Sequence, residues 1–232
     1  MRAAINPVIS STKRTAPARR TYRHGDLRRA LLDAGIALAR EGGPQAIVLR
    51  EATRRAGVVP NAAYRHFASH QALFEAVRAE AIARLARAIE AQIHSTHRRR
   101  DPRQRARAAF RGVGLGYVGF ARAEPGLFRT AFTARAFGLT EFAPEDMAPR
   151  GVGGLDPFQL LGSTLDDLVA TGLLAPKQRE GAEFMAWSAV HGLALLMLDG
   201  PLRGQDDAAC RKYTERLVTM VEQGLLAADA GA

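Results

Sequence analysis

The chain has 232 residues and one cysteine, Cys210. A lone thiol excludes an internal disulfide, fits a reducing cytoplasm, and serves most simply as a small buried apolar side chain. Aromatic residues make up only 6% of the chain, and runs rich in Val, Ile and Thr are nearly absent, so a sheet has little to be built from. The most apolar window, Phe184 to Leu198, is interrupted by Ser188 and His191. It falls short of the roughly 20 apolar residues of a membrane span. The stretch before Asp26 holds no apolar run of signal-peptide length. Catalytic signatures are missing as well: there is no His-Glu-x-x-His, cysteine cluster, Gly-rich phosphate loop or nucleophile elbow. No metal or cofactor is called for, and an enzyme is not expected.

What is present is alanine, leucine and arginine. A hydrophobic content of 47% supports a substantial core, and the Ala/Leu balance favours an all-α fold. Net charge is +10, unevenly spread. Residues 1–107 hold 22 Lys+Arg against 8 Asp+Glu, an excess of +14, whereas residues 108–232 hold 11 against 15, a balance of −4. The first half is therefore a candidate polyanion binder.

Residues 1–21 carry Pro7, Pro17, Lys13, Arg14, Arg19 and Arg20 without apolar period, the pattern of a disordered basic arm. From Asp26 the residues Leu27, Leu31, Ala34 and Leu38 recur at helical spacing and predict a helix that ends at Gly42-Gly43. A short helix is predicted from Leu49 to Ala56, closed by Gly57, and another opens at Pro60, where a missing N–H costs nothing. Ser69 should cap a long helix over 70–97. Further helices are predicted from Pro102 to Ala123, Leu127 to Phe137, Pro157 to Thr171, Lys177 to Leu198 and Asp206 to Leu226. The segment from Gly138 to Leu155, with Pro144, Pro149 and a Gly-Val-Gly-Gly run, reads as a functional loop.

Two short helices joined at a glycine turn make a helix-turn-helix pattern, whose second helix fits the major groove of DNA. In "GVVPNAAYRHF", residues 57–67, Ala62, Ala63 and Phe67 give an inward side. Arg65 can reach a phosphate or a guanine edge, Asn61 an adenine edge, and Tyr64 and His66 phosphate oxygens. The small side chain of Ala62 lets the backbone opened by Pro60 come close to DNA.

Residues 22–80, with the turn Ala56-Gly57-Val58, the run Tyr64-x-His66-Phe67, and Leu73 on the long helix, resemble the N-terminal domain of the TetR family of transcriptional regulators. "WSAVHG" at 187–192 and "YVGFARAEPGLFRTAF" at 117–132 resemble the C-terminal domain of the TetR subgroup marked by a Trp-x-x-x-His-Gly motif. The resemblance implies an all-α homodimer: a three-helix DNA-binding domain over 22–69, a linking helix over 70–98, and an effector-binding and dimerisation domain over 99–232. It implies a cytoplasmic protein whose partners are a double-stranded DNA operator, a small-molecule effector and a second copy of itself, with no membrane. It adds phosphate contacts from Arg50 and Thr53 on the preceding helix, and from His70, which stands where the family has lysine. This sequence departs from the pattern elsewhere. Val48 and Val59 replace capping hydroxyls, at about 1 kcal/mol each. Ala52 replaces a large aliphatic, and Asn61-Ala62-Ala63 replaces Gly-Thr-Leu.

In the C-terminal half, Phe110, Tyr117, Phe120, Phe128, Phe132 and Phe158 are candidate core residues, some facing an effector cavity suited to a hydrophobic or aromatic molecule. Trp187 and His191 share a helix face. They either line that cavity or pack, His191 then bonding a backbone carbonyl and Gly192 admitting a close helix contact. A stripe of Tyr213, Leu217, Met220 and Gly224, with Leu195 on the helix before it, would form a two-fold four-helix bundle with a partner. The functional reading is an effector-released repressor. An all-helical small-molecule enzyme and a nonspecific architectural DNA-binding protein are the alternatives.

Overall fold

The computed structural model describes residues 24–96, 99–133 and 150–227. The basic arm and most of the Gly138–Leu155 loop lie outside these. Among the described residues there are nine α-helices and no strand. They are α1 (His24–Gly42), α2 (Leu49–Arg55), α3 (Pro60–Ala63), α4 (His70–His94), α5 (Pro102–Ala123), α6 (Pro125–Phe132), α7 (Pro157–Ala170), α8 (Ala182–Leu198) and α9 (Asp207–Ala227). Single 3-10 turns occupy Pro44–Ala46 and Pro176–Gln178.

Local chemistry sets most of the boundaries. Gly57 takes φ 69° and closes α2, with the Val58 N–H donating to the Thr53 carbonyl at 3.0 Å. The Ser69 hydroxyl caps α4 by accepting from the Ala72 N–H at 3.1 Å. Asp101 caps α5, and Asp156 with Gln159 forms a reciprocal capping box at α7. Val48 and Val59 are extended and give no side-chain cap to α2 or α3. The expected helix from Lys177 starts later, at Ala182, because Gly181 at φ 73° separates it from the 3-10 turn. Pro125 and Gly126 do not precede α6 but form its first turn, and α6 ends at Phe132. Of the expected continuation to Phe137, residues 134–137 fall outside the described ones.

One hydrophobic cluster runs from Leu31 and Phe67 through Leu73, Val77, Leu85 and Ile89 to Phe128, Leu165 and Val218. Fully burying each such side chain is worth roughly 1.5–3 kcal/mol. The helix α5 lies hard against α4: a Cβ on Gly116 would stand 2.7 Å from the Ile89 Cα.

Contacts at both ends tie α6 to α1 and to α4. At its start, a Cβ on Gly126 would collide with the Ala39 carbonyl oxygen, and Arg40 forks onto Glu124 at 2.5 and 2.8 Å. Near its end, Arg78, buried on α4, donates Nε to the Ala131 carbonyl at 3.1 Å.

Candidate nucleic-acid interface and apolar cavity

The segment after the glycine turn is two-sided. Ala63 and Phe67 are buried in the core, and Arg28 covers the Phe67 ring at 5.2 Å. Pro60, Asn61, Tyr64 and Arg65 are exposed, and Ala62 and His66 are half-buried. Tyr64 keeps 55% of its surface in solvent, a large amount for a tyrosine without a packing partner. Backbone bonds from the His66 and Phe67 N–H groups to the Ala63 carbonyl, both 2.9 Å, continue the coil past α3.

The arginines of this region fall into two groups. Arg55 bridges Glu41 and Glu51, and Arg54 pairs with Glu51, so these fix α2 to α1 and to itself. The two guanidiniums hold the Glu51 carboxyl well down, at about 2. Arg50 and Arg65 are exposed, and among the described residues no carboxylate pairs with either. Two of the expected contacts are placed otherwise. Thr53 is buried, its hydroxyl donating to the Arg50 carbonyl at 2.7 Å, because it stands on the inward face of α2 one residue from Ala52. His70 is half-buried, with its Nε2 against the Ile47 carbonyl.

The C-terminal half encloses a cavity of about 30 Å³ between α4, α5, α6, α7, α8 and α9. Phe110, Tyr117, Phe132, Phe158 and Trp187 line it, together with the aliphatics Ile89, Val113, Leu161, Val190 and Val218. Phe120, Phe128 and His191 do not. Phe128 is fully buried behind the wall, edge-on to Tyr117 at 5.5 Å, and Phe120 is buried in the core. The aliphatic lining could not be told from ordinary core by sequence, because burial selects the same residues in both.

Trp187 and His191 meet at one hydroxyl. Trp187 donates Nε1–H to the Tyr117 oxygen at 3.0 Å, and His191 Nδ1 lies 2.7 Å from the same oxygen. An indole can only donate, and a tyrosine proton given to Nδ1, with the histidine proton on Nε2, is the arrangement that uses the phenol as both acceptor and donor. Burial pushes the His191 pKa down, in keeping with a neutral ring, and pushes the Tyr117 phenol up. The histidine thus bonds a side-chain hydroxyl instead of a backbone carbonyl. A Cβ on Gly192 would meet nothing within 4 Å, so that glycine admits no close helix contact within the chain.

On the outside of α8 and α9 lie Leu195, Tyr213, Met220 and Gly224, all exposed, with Leu217 half-buried. Phe184, Met185 and Leu196 extend the same apolar surface, Met185 at 68% exposure. Large apolar side chains so exposed mark an interaction face. Among the described residues no helix is long and apolar enough to cross a membrane, and no group of three or more His, Cys, Asp or Glu could hold a metal ion.

Residues 31–77 match the model of the bacterial regulatory proteins of the tetR family, and residues 110–221 match the tetracyclin repressor-like C-terminal domain. No curated protein matches the chain in sequence. Among solved structures, a protein of unknown function from Rhodococcus sp. RHA1 is 26% identical with a TM-score of 0.68, covering 90% of this chain and 100% of its own. A TetR family transcription regulator from Marinobacter aquaeolei VT8 is 20% identical with a TM-score of 0.57, covering 87% and 96%. The TetR family transcriptional regulator PfmR from Thermus thermophilus is 18% identical with a TM-score of 0.51, covering 82% and 97%. The last two share the fold. With both halves matched in order on an all-α scaffold, the chain belongs to the TetR family and is a DNA-binding transcriptional regulator.

Proposed function

We propose that this regulator is a cytoplasmic, homodimeric repressor released from its operator by a small uncharged apolar or aromatic molecule. The observation that carries the DNA-binding half of the reading is the two-sidedness of the segment after Gly57: Ala63 and Phe67 anchor it, while Asn61, Tyr64 and Arg65 stand free of the body. Residues 22–69 then form the DNA-binding domain, α4 the link, and residues 99–232 the effector and dimerisation domain. Two copies joined through the exposed α8 and α9 face would place their recognition segments in successive major grooves, about 34 Å apart. Arg50, Arg65, Tyr64, Asn61 and His66 are the contacts retained. Thr53 is not among them, because its hydroxyl donates to the Arg50 carbonyl inside α2.

The effector class follows from the cavity wall. Tyr117, the central polar group there, already accepts from Trp187 and donates to His191, so it has little left to offer a ligand. A charged guest would be left unpaired at a cost of several kcal/mol. At about 30 Å³ the cavity holds roughly one water, so an effector must enlarge it. A conformation with a larger cavity and altered recognition-segment spacing would bind effector better and operator worse, so effector weakens operator binding and operator weakens effector binding by the same factor.

The test is selection of bound sequences from random DNA, then a screen for apolar compounds that release the selected site. A Y64F/R65A variant should bind that site at least tenfold more weakly than wild type. Equal binding would contradict the assignment of the recognition segment.

A further inference from the structure

Part of the positive charge of the chain is nowhere near the recognition segment. Between residues 99 and 111 there are six arginines and one acid, Asp101. These residues follow the C-terminal end of α4, whose 25 residues span roughly 37 Å from the end that joins the α1–α3 unit. We infer that the groove between the last turn of α4 and the first half of α5 is a second anion site, taking a small molecule with two or more phosphate or carboxylate groups.

Three observations support it. The first is shape: Gln92, Ser95, Arg99, Gln104, Arg107 and Arg111 line a groove of about 490 Å³. That volume lies within the roughly 300–1,000 Å³ of small-molecule sites. The second is charge. Arg107 and Arg111 converge on one carboxylate, Glu222 of α9, at 2.6 and 2.5 Å. Arg99 in the groove wall, and Arg100 and Arg103 next to it in the chain, are exposed, and among the described residues none of them has an ion-pair partner. The six arginines thus face two carboxylates, and the Asp101 carboxylate is already occupied by the Arg103 N–H of the cap at 3.0 Å. The third is placement. The first turn of α5 holds no acid and carries Arg103 and Arg105, at the end of a helix where its dipole disfavours cations. The capping Asp101 offsets this only in part, and a bound anion would relieve the arginines and the helix end together.

A concave groove with the side-chain amides of Gln92 and Gln104 beside planar guanidinium forks suits a compact polyanion better than a duplex, whose phosphate rails need an extended surface. The site is separate from the apolar cavity and does not depend on the effector reading.

The experiment uses the full chain at constant ionic strength. Pyrophosphate is titrated by calorimetry and thermal unfolding, against sodium chloride of equal ionic strength. The variants are R99E/R103E, which leaves the Glu222 cluster intact, and Y64F/R65A. Saturable pyrophosphate binding that falls at least tenfold in R99E/R103E, but not in Y64F/R65A, with operator binding retained in the former, is the result expected. A pyrophosphate effect no larger than that of chloride would overturn the proposal. So would binding that R99E/R103E leaves unchanged, or that Y64F/R65A abolishes. A 30-base-pair duplex lacking the operator serves as a further arm: if it displaces pyrophosphate in a way that depends on Arg99 and Arg103, the occupant is nucleic acid and the small-ligand assignment is wrong.

Discussion

Glu222 and its two arginines permit a prediction whose sign and size both come from burial. The glutamate side chain has 0% exposure, while those of Arg107 and Arg111 keep 42% and 38%. Removing the carboxylate as E222Q lets both guanidiniums turn into water, and a glutamine of the same shape remains. The loss is that of charge-assisted bonds to groups that stay solvated, about 1–2 kcal/mol. Removing the arginines as R107A/R111A leaves an ionised carboxylate enclosed and unpaired, which costs about 3–5 kcal/mol. For a chain of this size 1 kcal/mol moves the unfolding midpoint by about 2–4 °C. The two variants should therefore lie roughly 2–8 °C and 6–20 °C below wild type, measured at one fixed protein concentration because a dimer unfolds concentration-dependently. Urea unfolding with unchanged slopes would check that the native states are comparable. If E222Q proves as damaging as the double arginine variant, or more so, the carboxylate is not the enclosed member of the cluster and the reasoning is refuted.

Other outcomes follow from the same coordinates. Val59 stands extended at the head of α3 with no cap, so V59S should stabilise by about 1 kcal/mol, visible as a higher urea midpoint. Phe132 is half-buried and lines the cavity, so F132A should cost less than the about 3–5 kcal/mol of an enclosed phenylalanine and admit larger apolar guests, read by thermal shift with a series of aromatic hydrocarbons. The pKa of His191 is lowered by burial, so below about pH 6.5 the unfolded chain takes up a proton that the folded chain refuses. Stability should fall as pH drops from 7 toward 5, and H191Q should flatten that slope in unfolding curves. Should H191Q keep the full slope, the acid sensitivity resides in other groups.

Much of the architecture could be read from residue order, because turn chemistry is local. Gly57, Pro60, Ser69, Pro102 and Asp156 act through their own backbone angles and side-chain oxygens, and the helix ends they imply lie within a few residues of those found. What escaped the sequence was decided by distant neighbours. Thr53 looks like a contact residue until α1 and α3 are packed against α2. Phe120 and Phe128 are as aromatic as Phe132, and only the crossing of α5 and α6 over α8 decides which of them meets the void. The hydroxyl of Tyr117 is 70 residues from the indole that bonds it. Arg99, Arg100, Arg103, Arg105 and Arg107 counted toward the basic half when charge was summed along the chain, yet they follow the far end of α4 from the α1–α3 unit.

Short as it is, α6 is about 12 Å long and seated without slack at its first turn. Its first turn is wedged on the Ala39 carbonyl and its last turn carries Phe132 into the void. A guest that enlarged the void would press on Phe132, at one end of a helix whose other end rests on the backbone of α1. The glycine at 126 leaves no gap in which that push could be lost.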